Sequence, residues 1–188
     1  MEHGWAYRLS DPAPDDLDVP TLISTPRWLR VSKPLFDFVG ITPGYREFDI
    51  SAWFLIFFTI FFAIIVGDGG YGLLFLAGTL VLKRKAGPSA QVAVNLMFLL
   101  SFFTVVWGFL TGNFFGIHPS KLPAFMQGIE YFTGPNQQAN TQYFCFLIGA
   151  IHLTIGHGIK LSAVINSTMA LAQVGWMAII WGYFFLGA

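Results

Sequence analysis

Between Ala52 and Leu82 the chain carries a single charge, the carboxylate of Asp68, in the run Gly67-Asp68-Gly69-Gly70-Tyr71-Gly72. The apolar stretch around it is 31 residues long, more than the roughly 17 to 25 that a membrane-spanning helix needs. As one helix it would measure about 46 Å against a hydrocarbon core of about 30 Å. A steeply tilted helix could absorb some of the excess. Four glycines at the middle favour the other solution, two short helices forming a hairpin broken at Gly67–Gly72. A carboxylate at bilayer depth costs roughly 2.5 to 3.5 kcal/mol on insertion scales, so Asp68 must either work or be well partnered. Two readings of it follow: an intramembrane ion-pathway residue, or a turn acid that accepts backbone hydrogen bonds at a membrane face.

The rest of the sequence repeats this apolar pattern. Further apolar runs cover residues 91–117, 142–159 and 170–187, each close to spanning length. Only 11% of residues are charged and 55% are hydrophobic, where soluble domains carry about 25% charged residues. The fold class expected is therefore all-α: a polytopic transmembrane bundle of about five helices. Residues 1–50 form an extended lead-in segment, because Pro12, Pro14, Pro20, Pro26, Pro34 and Pro43 disfavour long helices. Residues 51–188 form the transmembrane domain. No apolar core of signal-peptide length occurs near the N-terminus.

Charge placement gives the topology. Lys83, Arg84 and Lys85 end the second half of the first run and Lys160 ends the fourth helix, which puts both ends in the cytoplasm. With the hairpin, residues 1–50, bearing Arg8, Arg27, Arg30, Lys33 and Arg46, are cytoplasmic too. The loop 118–140, with Lys121 as its one basic residue, then faces outward, as does the C-terminus. Ten basic and ten acidic residues cancel, so no global basic field attracts nucleic acid. The single Cys145 excludes an intrachain disulfide and a multi-cysteine metal site.

Two further patterns lie on the membrane helices. Gly108, Gly112 and Gly116 are spaced four apart among aromatics, a small-xxx-small arrangement that lets helix backbones approach closely. Gly149, Gly156 and Gly158 offer a similar surface on the next helix. His152 and His157 lie five apart there, about 140° around a helix, so they cannot act as an i, i+4 metal pair. They are read either as packing residues hydrogen-bonded to a neighbouring helix or as members of a proton relay. Lys160 snorkels to the surface, and Gln173 on the last helix can bond across helices. Neither a nucleophile–base pair nor a clustered titratable set appears, so no catalytic residue, metal or cofactor is expected.

The segments Val19-Pro20-Thr21-Leu22, Pro34-Leu35-Phe36, Tyr45-Arg46-Glu47-Phe48-Asp49, Gly67 to Gly72, Trp107 to Gly116 and Ile151-His152-Leu153-Thr154-Ile155-Gly156, in this order, resemble the membrane half of subunit I. This family, also called subunit a, belongs to V-type ATPases and ATP synthases. The resemblance implies part of a rotary motor's non-catalytic stator, bracing two ion half-channels against a ring of proteolipid subunits that carry H+ or Na+. It implies other membrane-sector and stalk subunits as partners, and a prokaryotic plasma membrane as the location. The family's essential arginines lie on its last two membrane helices, and no arginine of this chain lies within an apolar run. The chain alone is therefore expected not to translocate ions; a fragment, a split subunit completed by a second polypeptide, and a degenerate copy all fit. The alternative is an independent small transporter or channel, with Asp68 at a broken helix and the histidines as relay.

Overall fold

The computed structural model describes residues 11, 25–26, 28–40 and 48–187. The segments 19–22 and 45–47, and Arg8, Arg27 and Arg46, lie outside the described residues. Apart from one isolated bridge between Phe114 and Ile117, the regular structure among the described residues is helical. A 3-10 turn, Leu29–Ser32, leads into α1, Lys33–Val39. Five longer helices follow with a short one among them: α2 Ser51–Val66, α3 Gly69–Lys85, α4 Gln91–Thr111, α5 Glu130–Thr133, α6 Gln137–Ala163 and α7 Met169–Gly187.

Helices α4, α6 and α7, of 21, 27 and 19 residues, are long and apolar enough to cross a membrane. Helices α2 and α3, of 16 and 17 residues, are shorter. Four hydroxyls of α2, α3 and α4 bond the carbonyl one turn back: Thr59 to Leu55, Thr79 to Phe75, Ser101 to Met97 and Thr104 to Leu100, at 2.6 to 2.8 Å. Such back-bonding leaves none of these four hydroxyls free on an apolar face.

Cross-helix neighbours give the directions. Leu55 clusters with Leu96 and Leu100, and Ala63 with Trp107, so α2 and α4 run parallel. Gly69 lies on Gly108, Gly72 on Thr104 and Val105, and Lys83 over Phe98, so α3 runs antiparallel to α4. Phe57 meets His152 and Ala63 shares a cluster with Phe144, which makes α6 antiparallel to α2. Tyr143 reaches Phe184 and His157 reaches Gln173, so α7 turns back along α6. The five long helices thus alternate in direction. The break expected within Gly67–Gly72 narrows to Gly67 and Asp68, with Gly69 to Gly72 already helical. The hairpin's limbs pack less on each other than on α4, which both flank.

Helix α4 is the core. Of its most apolar window 39% is buried, against 6% for α6 and for α7. The lead-in joins this core through Leu29, packed with Leu55, Leu96 and Leu100, and through Phe36, whose ring lies 4.9 Å from that of Phe54. Basic residues gather at the end marked by the start of α2: Lys83, Arg84 and Lys85 in the last turn of α3, Lys160 in that of α6, and Arg30 and Lys33 in the lead-in.

Close packing of α3 on α4 rests on missing side chains. A Cβ at Gly72 would stand 2.8 Å from the Val105 amide nitrogen, and one at Gly108 would collide with the backbone of Gly69. Nothing lies within 4 Å of a Cβ placed on Gly78 of the same α3. Gly108→Ala is therefore expected to cost about 1 to 3 kcal/mol through overpacking, while Gly78→Ala is neutral or stabilising by up to about 1 kcal/mol. Unfolding of the detergent-solubilised variants distinguishes these outcomes, and equal stabilities would contradict this packing.

Candidate functional site

The Gly-Asp-Gly-Gly-Tyr-Gly run builds a turn whose backbone groups are gathered around one oxygen. Helix α2 ends at Gly67, in the left-handed region at φ 67, with its N–H bonded to the Ala63 carbonyl. Asp68 takes an extended conformation and caps α3. Its Oδ1 accepts from the amides of Gly70 at 2.7 Å, Tyr71 at 3.2 Å and, from the far side, Phe115 at 3.0 Å. Asp68 is only 7% exposed. No basic side chain pairs with it among the described residues; the positive end of the α3 dipole and three N–H groups stabilise its charge.

Asn113 closes the other side. Its side-chain amide donates to the Gly67 carbonyl at 2.7 Å, and its own carbonyl accepts from the Gly69 N–H at 2.9 Å. The first four amides of α3 are thereby satisfied, since Gly72 bonds the Asp68 carbonyl. Two phenylalanines roof the turn: Phe114, 2% exposed, covers Gly69, and the Phe115 ring lies against Gly70 and 5.6 Å from Tyr71. A Cβ at Gly69 or Gly70 would fall 2.6 Å from these rings. Phe115 has φ 54, uncommon for a residue with a side chain; its amide bond to Asp68 and its ring contacts hold it there.

The glycine repeat expected to form one helical face does not do so. Helix α4 stops at Thr111; Gly112 is its left-handed cap at φ 64, and Gly116, at φ 67, lies in the following loop with nothing near it. Of the three, Gly108 alone packs helix on helix. Gly112 instead receives the loop, which returns so that Gln127 and Gly128 touch it and Ile129 donates to the Leu110 carbonyl at 3.0 Å. An i, i+4 glycine spacing is the same whether the second glycine continues a helix or ends it. Gly149, Gly156 and Gly158 have open space where a Cβ would stand, with nothing within 4 Å, and so make no close approach to another helix among the described residues.

The two histidines point to different helices. The His152 ring packs between Phe57 at 4.5 Å and Phe61 at 5.5 Å, on α2. His157 Nδ1 lies 2.8 Å from Gln173 Oε1 on α7, with the ring stacked near Trp176. Trp181 adds a second polar link, donating to Thr154 Oγ1 at 3.0 Å. Asp68 joins neither histidine. A cleft of about 640 Å³ opens beside the turn, its wall mixing amides and hydroxyls (Asn113, Gln137, Thr141 and Gln142) with apolar Ile64, Trp107 and Phe132.

Sequence reasoning found the acid and the glycines but passed over Asn113, Phe114 and Phe115 as members of the same site. The signal was Gly112-Asn113 directly after an apolar run, a glycine where a helix end is expected.

No family model matches the chain. It is 35% identical over 97% of its length to "V-type ATP synthase subunit I 1" of Treponema pallidum, covering 31% of that protein. It is 31% identical over 99% of its length to "V-type ATP synthase subunit I" of Borreliella burgdorferi, covering 32% of it. An "A-type ATP synthase subunit I" of Archaeoglobus fulgidus is 37% identical over 52% of the chain, which covers 14% of that protein. The chain thus spans about a third of the length of the first two of these curated relatives.

Asp68→Ala removes the cap and strands the Phe115 amide, at an expected cost of roughly 2 to 4 kcal/mol. Asp68→Asn keeps an acceptor oxygen in place and is expected to lose clearly less. Thermal unfolding in detergent measures both; an Asn variant as damaged as the Ala variant would show that charge, rather than capping geometry, holds the turn.

Proposed function

The chain belongs to the subunit I family of V-type and A-type ATP synthases, and from that premise we propose that it braces the ion-translocating helices of a rotary ATPase against its proteolipid ring. The observation that carries this reading is similarity to subunit I along 97% of the chain. The geometry supports a bracing role in two ways. Asp68 Oδ1 is committed to three backbone amides, which suits a structural acid better than an ion ligand. His152 and His157 are divided between α2 and α7, which suits helix packing better than a relay.

In this arrangement residues 51–188 are the transmembrane portion and residues 1–50 a cytoplasmic lead-in. The basic ends of α3 and α6 face the cytoplasm, and the Asp68 turn faces outward, in a prokaryotic plasma membrane. Gly69, Gly70, Tyr71, Gly72 and Gly108 hold α3 and α4 as one rigid unit, while the sparsely covered α6 and α7 offer surfaces to other subunits. Partners are the ring, further membrane-sector and stalk subunits, and the arginine-bearing helices, whether from the same gene product or a second polypeptide. The translocated ion is H+ or Na+.

A tagged chain expressed in its own membrane is expected to co-purify with ATPase membrane-sector subunits. Reconstituted alone into liposomes, it is expected to pass neither H+ nor Na+. Recovery only as a free chain, or ion flux abolished by Asp68→Asn, would refute the bracing role and favour an independent transporter.

A further inference from the structure

An apolar cavity of about 510 Å³ lies between the 3-10 turn, α2 and α4, with Trp28 and Val31 of the lead-in among its walls. Its volume is in the range of small-ligand sites. Val31, Leu55, Ile60, Phe98 and Leu99 are among its walls. Of the polar side chains in its wall, Thr59 donates to the Leu55 carbonyl at 2.7 Å, and Asn95 Oδ1 accepts from the Gln91 side-chain amide at 3.4 Å. The walls are otherwise almost wholly apolar, which suits an apolar occupant. Leu55 and Ile60 lie about 6 and 14 Å along α2 from Ser51, so the cavity runs inward from the basic end.

The mouth is of the opposite character. Trp28, 63% exposed, stands at the rim, the position an indole takes at a membrane interface. Phe98 is shared between the two environments: it lines the cavity, and Lys83 Nζ sits 5.2 Å from its ring centroid. Arg84 and Lys85 follow Lys83, and all three are exposed. Among the described residues near this end, Arg30, Lys33, Lys83, Arg84 and Lys85 face only Asp37 and Asp49 in acid. Asp37 is already paired with Lys33 at 2.8 Å, and Asp49 accepts from the Ser51 amide.

We propose that this groove is a binding site for one anionic phospholipid of the cytoplasmic leaflet, an acyl chain lying along α2 and α4 and the phosphate held by Lys83–Lys85. Charge complementarity selects the headgroup, and Lys83 over Phe98 couples it to the chain below. The proposal rests on the membrane-sector reading, because the cavity needs α2 and α4 to stand in a bilayer.

The test uses the full chain in detergent, mixed with phosphatidylglycerol or phosphatidylcholine of identical chains, with bound lipid counted by native mass spectrometry. Wild-type protein is expected to retain phosphatidylglycerol about tenfold better. The triple variant K83Q/R84Q/K85Q, altered only at exposed positions, is expected to hold both lipids at the phosphatidylcholine level. Ile60→Trp, which fills the groove, is expected to lose both. Equal retention of the two lipids by wild type, or an undiminished preference in the triple variant, would overturn the proposal, as would unchanged lipid counts in Ile60→Trp. Alkaline extraction of the source membranes separates the failures: a chain that stays in the membrane without headgroup preference removes the lipid site alone, and one that washes off removes the membrane reading as well.

Discussion

A chain that reverses direction between two apolar helices must find partners for the amides at the start of one and the carbonyls at the end of the other, where little water can supply them. The rest of this structure depends on how that requirement is met. One carboxylate oxygen of Asp68 takes three amides, and Asn113 takes one amide and gives one bond to a carbonyl. Two residues in this set, Asn113 and Phe115, come from the segment after α4, so the turn cannot be completed until α4 has returned beside it. The α2–α3 reversal and the end of α4 are therefore one structural unit, joined by bonds between residues 46 and 47 positions apart.

Glycine makes that unit possible by a second route. Without side chains at Gly69, Gly72 and Gly108, the backbones of α3 and α4 come together closely enough for Asn113 and Phe115 to reach the turn. Phe114 and Phe115 then cover the surface so exposed, and the polar cluster is shielded from above as well as from the sides. The buried carboxylate is tolerable here because its charge is met by fixed dipoles, which need no further reorganisation. The uncommon backbone conformation at Phe115 is the small cost of aiming its amide at Asp68.

Much of the fold was legible in the sequence, and the failures have a common cause. Run lengths and the central glycines announced alternating helices with a break near Asp68, because apolar length and glycine conformation are local properties. The reading of Asp68 as an acceptor of backbone hydrogen bonds was also available, since a short acidic side chain before a helix caps it. What the sequence could not reveal was which residues come from elsewhere to finish the site. The misread glycines show why: Gly108 and Gly112 are chemically the same and four residues apart, yet one is a contact surface and the other a helix terminus. That difference is decided by Gln127 and Gly128, which return from a loop to touch Gly112. Likewise, the angular separation of His152 and His157 was calculable, but the neighbours that each would meet were not.

The described chain has two unlike parts, which differ in how far their helices are covered. Around α4, packing is tight and specific, with buried small residues and a closed turn. Beyond it, α6 and α7 are tied to each other by polar links, His157 to Gln173 and Trp181 to Thr154, and α6 meets α2 and α4 through tilted aromatic rings, His152 on Phe57 and Phe144 on Trp107. Both remain largely uncovered, including the glycines of α6. A helix pair with polar bonds inward and small residues left outward has its mutual register fixed while its outer surface stays open to close approach by another helix.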